Sequence, residues 1–337
     1  MNKVVVITGA SSGLGLSHAI FLTSKGYTVF GTSRRSQTLE NNLLKEEFVR
    51  DHTKWKFVNK EKTKVKPVKN LIPKKIEKIL DELIKEIRFF NMDVTSDDSV
   101  TKAMKEMEAE AKKINGRGID IVINNAGISF FRSAEMLSME DWKTTFDTNL
   151  FGMLRVTKAV LPSMRERREG QIINTSTLGA LAVIPFQSHY SASKIAIKAF
   201  TEGLRVEVKK FNIKVSTILP SDINTAFNTN MHAISTSMDP TTKSVDLDKM
   251  INQTPTPPDS PYYNFLKPVW KVIVNNLIVA PPPLVISKKI FRIIKARRPR
   301  VNYHAGDPIQ RLLVFLIRRV VTDEIVDWLL PLYFGLK

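Results

Sequence analysis

Short apolar runs alternate with longer stretches of helical periodicity through the first 225 residues. Val4-Val5-Val6-Ile7, Thr28-Val29-Phe30, Arg88-Phe89-Phe90, Asp120 to Ile123 and Ile172-Ile173 are each the size of a buried strand. Helical stretches separate them, the first ending near Lys25. This alternation predicts an α/β fold, a doubly wound parallel-sheet Rossmann fold with helices on both faces, over residues 1–225. Beyond Thr225 the pattern changes. Residues 228–261 are rich in Thr, Ser, Asn, Met and Pro, and 226–283 is expected to cover a substrate pocket as a lid. From 284 to 337 the chain reads as amphipathic helices of the same domain. Asp307-Pro308 predicts a helix start, and Ile309, Leu312, Leu313, Leu316, Ile317 and Val320 predict its apolar stripe.

The first strand runs into Thr8-Gly9-Ala10-Ser11-Ser12-Gly13-Leu14-Gly15 and then a helix. Strand, glycine-rich turn and helix in that order form a dinucleotide-binding context. Gly9 permits a sharp turn, Gly13 lets backbone approach a pyrophosphate, and Gly15 allows close helix–strand packing. The helix start offers unpaired N–H groups to phosphate. The second strand ends in Ser33-Arg34-Arg35, with no carboxylate between Thr28 and Gln37 to hold a ribose 2′-hydroxyl. A hydroxyl and two guanidiniums suit a 2′-phosphate, so NADP(H) is favoured over NAD(H). Further along, Tyr190 and Lys194 are spaced to share one helix face. An ammonium beside a phenol is expected to draw its pKa down from about 10 toward working pH.

Taken together, these motifs resemble the short-chain dehydrogenase/reductase family, most closely its hydroxysteroid and retinol dehydrogenase branch. The resemblance rests on the turn from Thr8 to Gly15, Asp93-Val94 after the third strand and Asn124-Asn125-Ala126-Gly127 after the fourth. Asn149, Tyr190, Lys194 and Pro220 complete it. It implies cofactor contacts from Thr8, Gly9, Ser11, Ser12, Gly13, Leu14, Gly15, Ser33, Arg34, Arg35, Asp93, Val94, Asn125, Ala126, Gly127, Tyr190, Lys194, Pro220, Ile223 and Thr225. It also implies that Tyr190 donates a proton, Lys194 binds ribose and lowers the phenol pKa, and Asn149 holds a relay water. The hydroxyl that polarises the carbonyl falls on Thr177 when counted back from Tyr190 and on Ser176 when counted from Gly179. Ser176 is preferred on chemical type. Ser221 stands where the family usually has Gly, which puts the position of the nicotinamide loop in question.

Composition adds two features. Lys and Arg number 51 against 33 Asp and Glu, a formal charge of +18. Part of the excess lies in a Lys-rich insertion at about 42–87, broken by Pro67 and Pro73 and ending in a predicted amphipathic helix from Lys74 to Ile87. Its apolar face is Ile76, Ile79, Leu80, Leu83, Ile84 and Ile87. A solvated excursion is the favoured reading, and an anionic membrane contact is its rival. No stacking-aromatic pattern accompanies the charge, so no nucleic-acid partner is expected. The C-terminal helices are read either as a cap on the core or a subunit partner, or as an interfacial membrane anchor.

The chain has no cysteine, and its five histidines show no metal-ligand spacing, so no metal is expected. The first strand begins almost at Met1, leaving no room for a signal peptide, and no apolar run is long enough to span a bilayer. A cytoplasmic protein, soluble or peripheral at a membrane surface, is expected. The resemblance implies a homo-oligomer and hydride transfer between NADP(H) and a lipophilic alcohol or carbonyl of the steroid, retinoid or aldehyde class. A catalytically weak cofactor-binding scaffold, or a dehydratase or epimerase on the same fold, are the alternatives.

Overall fold

The structure, a computed structural model, describes residues 3–54, 56–58, 69–225, 238–239, 244–246, 259–319 and 322–336. Seven strands form its main sheet: β1 (Val4–Ile7), β2 (Thr28–Ser33), β3 (Arg88–Asn91), β4 (Ile121–Asn124), β5 (Gly170–Thr175), β6 (Ile213–Pro220) and β7 (Asn302–Ala305). Their order is β3-β2-β1-β4-β5-β6-β7, and every pairing is parallel. β1, at the centre, is buried at all four positions. A strand covered on both faces has no solvent side, which is why its sequence shows no alternation. The chain leaves β1 toward β2 and later returns to its other side as β4, so a crevice opens at the carboxyl ends of these strands.

One face carries α1 (Gly13–Thr23), α2 (Asn41–Asp51), α3 (Lys74–Glu77) and α4 (Leu80–Glu86). The predicted single helix from Lys74 to Ile87 is therefore two, broken at Lys78–Ile79. Ile79 is exposed, whereas Ile76, Leu80, Leu83, Ile84 and Ile87 are buried in the core shared with α1. The apolar face of the insertion is thus covered by the protein itself. The lysine run at 60–66 lies outside the described residues.

The opposite face carries α5 (Asp97–Asn115) and α7 (Gly152–Arg167), packed through Met104, Met107, Val156, Val160 and Met164. Two further helices, α6 (Met139–Phe146) and α8 (Ser188–Glu207), flank the crevice.

The C-terminal part contributes α9 (Tyr263–Val279), α10 (Leu284–Lys295), α11 (Pro308–Arg319) and α12 (Asp323–Tyr333). Trp270 of α9 is fully buried, 5.3 Å from the Phe131 ring. α10 packs on α1, where the Ser287 hydroxyl meets both Ser17 (2.9 Å) and His18 Nδ1 (2.8 Å). Asp307 caps α11, its Oδ1 accepting from the N–H groups of Ile309 and Gln310, as the Asp-Pro pair predicts. β7 was not predicted, because Asn302-Tyr303-His304 at the sheet edge shows no apolar run. Most of the expected lid, 226–258, lies outside the described residues. No described helix is long and apolar enough to cross a membrane.

Candidate active site

The glycine turn after β1 is shaped by close approach. Gly9 (φ +65°) and Gly13 (φ +54°) adopt left-handed conformations that favour glycine. A Cβ on Gly15 would collide with the Gly9 carbonyl. Thr8 fastens this turn to the segment after β4: its Oγ1 accepts from the N–H groups of Asn125 and Ala126, both at 2.9 Å. The side-chain amide of Asn125 in turn donates to the Thr8 carbonyl at 3.0 Å. The N-cap residue of α1, Ser12, makes no side-chain capping bond, which leaves backbone donors at the helix start facing the crevice.

At the end of β2 the buried Ser33 hydroxyl donates to Ser11 Oγ at 3.2 Å and accepts from the Arg35 N–H at 3.1 Å. Arg34 and Arg35 are exposed, and among the described residues no carboxylate forms an ion pair with either. Glycine cradle, unpaired helix donors and a cationic strand end fit a dinucleotide with an added phosphate.

Beyond the turn, the crevice widens into a cavity of about 1080 Å³. Its walls include Gly9, Ser11, Ser12, Gly13, Leu14, Ser33, Arg34, Arg35, Asp93, Val94, Asn125, Ala126 and Gly127. Ser176, Thr177, Tyr190, Lys194, Pro220, Ile223 and Thr225 line it as well. Thr8, Gly15 and Asn149 sit behind this wall. Asp93 is held by its own turn, its Oδ1 accepting from Thr95 N–H and hydroxyl.

Tyr190 and Lys194 lie one turn apart on α8, with Lys194 Nζ 5.7 Å from the centre of the phenol ring. The ammonium donates to the Thr175 carbonyl at 3.1 Å. Burial lowers the Lys194 pKa to about 8. Burial also raises the Tyr190 phenol, with the charge of Asp222 adding to the effect and a hydrogen bond with Thr177 opposing it. The expected fall of the phenol pKa is therefore not present in this structure. Desolvation of a phenolate in the cavity outweighs what the neighbouring ammonium offers.

The two candidate hydroxyls separate clearly. Ser176 is buried, and its Oγ donates to the Lys194 carbonyl at 2.8 Å. Thr177 is partly exposed to the cavity and is the hydroxyl bonded to Tyr190. Ser176, preferred on chemical type, is thus engaged with the Lys194 backbone, while Thr177 meets the phenol.

Asn149 lies in a π-helical turn, Asp147–Phe151, joining α6 to α7. Such insertions re-aim side chains and cluster at functional sites. Its Oδ1 accepts from the Ile128 N–H at 2.7 Å, and its Nδ2 donates to the Ile128 carbonyl and to Ser193 Oγ, each at 3.0 Å. Both ends of the amide are thus engaged in holding the segment after Gly127. A side chain at Gly127 would be crowded, since a Cβ would sit 3.0 Å from Asn149 Oδ1 and 3.2 Å from Lys194 Nζ.

Ser221 is buried. Its hydroxyl accepts from the Asp307 N–H at 2.7 Å, joining the loop after β6 to the start of α11. The next residue, Asp222, was not singled out from the sequence. Its carboxylate accepts from Gln310 Nε2 at 2.8 Å and from Asn276, and it lines the cavity beside Tyr190. An acid two positions after the strand-end proline is a visible signal, but its partners on α9 and α11 are not. Apolar side chains of the same helices, among them Ile273, Leu313, Val314 and Ile317, line this end of the cavity with Leu330 and Phe334. His18 and His189 are packing residues, both fully buried. Among the described residues no cluster of three or more potential metal ligands occurs.

Fold and crevice define a nucleotide-dependent oxidoreductase scaffold. The chain belongs to the short chain dehydrogenase family, whose model matches residues 61–234. A 3-ketodihydrosphingosine reductase of Bacteroides thetaiotaomicron is 28% identical over 335 residues, 99% of each chain. Retinol dehydrogenase 8 of Bos taurus is 33% identical over 209 residues, 62% of this chain and 60% of the relative. Among solved structures, a serine dehydrogenase complexed with NADP+ superposes with a TM-score of 0.61 at 21% identity, covering 90% of this chain and 95% of that one.

Proposed function

We propose that the chain is an NADP(H)-dependent carbonyl reductase or alcohol dehydrogenase acting on a lipophilic substrate, with long-chain ketones preferred. The observation that carries this reading is the Thr177–Tyr190–Lys194 group, placed between a cationic, glycine-lined end of one cavity and an apolar end. Arg34, Arg35 and Ser33 favour the phosphorylated cofactor, and the serine dehydrogenase of like fold is complexed with NADP+. The long-chain preference is supported by the ketosphingosine reductase relative, whose alignment includes the C-terminal helices that wall the apolar end. The retinol dehydrogenase alignment covers a smaller share of both chains.

When bound, the nicotinamide supplies or accepts the hydride. In the reductive direction the carbonyl oxygen gains negative charge and must be protonated. Tyr190 gives its phenolic proton to that oxygen, and Thr177 donates a hydrogen bond to it. Lys194, held by the Thr175 carbonyl, keeps a positive charge beside the phenol as the phenolate forms. Asn149 acts as a positioning residue for the Ile128 segment. Tyr190→Phe should retain cofactor affinity and lose about 10²- to 10⁴-fold in turnover, the range for general acid–base help. Turnover of a lipophilic ketone with NADPH that survives in this variant would refute the assignment.

The outer face of the C-terminal helices supports a second element of the proposal, peripheral attachment to an anionic membrane. Ile309 (76% exposed), Leu312 and Phe315 of α11 and Trp328 of α12 are uncovered, while Leu313 and Val314 of α11 line the cavity. The apolar outer surface thus adjoins the apolar end of the pocket. A formal charge of +18 complements anionic headgroups.

A further inference from the structure

The least explained group in the cavity is the carboxylate of Asp222. It stands in an end of the pocket walled mainly by apolar side chains, beside the phenol that the proposed reaction uses. Its partners are neutral: Gln310 Nε2 donates to it at 2.8 Å, the Asn276 amide donates to it, and Gln310 Oε1 takes the Asp222 N–H at 3.1 Å. Among the described residues no lysine or arginine forms an ion pair with it, and the charge of another acid, Asp307, acts on it unfavourably. A carboxylate in such a place loses hydration without gaining a counter-charge. Helices α9 and α11 nevertheless each supply an amide that holds it toward the cavity.

We propose that Asp222 is a substrate-recognition residue that binds an ammonium group carried close to the reacting carbonyl, so that the preferred substrate is a long-chain amino-ketone. The assignment rests on the reductase reading above and specifies its substrate. A cation seated between Asp222 and Tyr190 supplies a counter-charge that no ion pair among the described residues gives Asp222. It also has a consequence for the proton donor. The Asp222 charge raises the Tyr190 pKa, so a bound ammonium that offsets this charge lowers it and makes the phenol a better acid. The same group thereby selects the substrate and readies the tyrosine only when that substrate is present. Burial raises the pKa of Asp222 itself, with the Asp307 charge adding to the effect and the hydrogen bonds from Gln310 and Asn276 opposing it.

The test compares two ketones of equal chain length with NADPH: 3-ketodihydrosphingosine, a 2-amino-3-ketone, and the corresponding ketone without the amine. The wild type should favour the amine-bearing substrate about tenfold or more in kcat/KM, the size of one charge-assisted contact. Asp222→Asn keeps the volume and an acceptor for Gln310, and should collapse that ratio to near one, mainly through KM. Asp222→Glu should restore part of it. Calorimetry without cofactor gives an independent readout. A long-chain amine should bind the wild type more tightly than the alcohol of equal length, and Asp222→Asn should remove the difference.

Equal selectivity in wild type and Asp222→Asn, with unchanged melting temperature, would overturn the inference while leaving the reductase reading intact. So would a preference for a hydroxyl over the amine, which would assign a protonated carboxyl donating to a neutral group. Failure of the wild type to reduce either ketone would instead count against the reductase reading.

Discussion

The hydroxyl of Thr177 is hydrogen-bonded to the phenol of Tyr190, thirteen residues further along the chain, while the adjacent Ser176 is bonded to the Lys194 carbonyl. Thr177→Ala should therefore lower kcat by about 10²-fold, as loss of a donor to the developing oxyanion does. Thr177→Ser should recover most of it. Ser176→Ala should act chiefly on stability, by about 1 kcal/mol for a buried neutral hydrogen bond. Steady-state kinetics with thermal melts on the three variants separates the two roles, and the opposite pattern would return the role to Ser176.

Under the proposed reading Arg34 and Arg35 select the phosphorylated cofactor through exposed guanidiniums that have no acidic partner among the described residues. Replacing both with Ala should raise the KM for NADPH by about 10- to 100-fold, the worth of one or two charged hydrogen bonds. The KM for NADH should change far less. Parallel titrations with both coenzymes measure the ratio.

Three buried histidines make stability depend on acid. Burial holds His18 near about 3, and His52 and His189 near about 4. In the unfolded chain each titrates near about 6.5. Their folded values are depressed, so the unfolded state binds more protons between these limits. The stability they contribute is present above about pH 6.5 and is lost as pH falls through about 4. The melting temperature should be level from about pH 8 to 7 and drop by several degrees by about pH 5. His18→Asn should reduce that slope, and an identical slope in the variant would remove His18 from the explanation.

The uncovered face of α11 should carry membrane binding. Flotation with anionic vesicles is expected to recover the wild type, and Ile309→Asp combined with Leu312→Asp should abolish recovery. Added salt should weaken it, since exposed charge pairs are screened within about 10 Å at 0.1 M ionic strength. If the wild type instead stays with the unbound fraction and elutes as a dimer that the same substitutions split, the face belongs to a second copy of the chain.

Much of the site could be read directly because its parts are local. The turn from Thr8 to Gly15 needs glycine for reasons internal to a few residues, and Tyr190 and Lys194 meet because a helix repeats every 3.6 residues. The core strands announce themselves by unbroken apolar runs, since both faces are covered. β7 lacks that signal: it adds to the edge beside β6 with partly exposed, polar residues. The break at Lys78–Ile79 was equally hidden, because apolar spacing continues across it while Ile79 turns out to solvent.

What sequence alone determined is the class of fold, the nucleotide end of the crevice and the Tyr190–Lys194 pair, all products of short-range periodicity and backbone sterics. Tertiary structure decided which of two adjacent hydroxyls reaches the phenol, because successive side chains leaving a strand point to opposite sides. It also brought Asp222 together with Gln310, 88 positions away, and with Asn276 on a different helix. Such contacts depend on how the C-terminal helices dock over the sheet, and no local pattern encodes the partner of a single carboxylate.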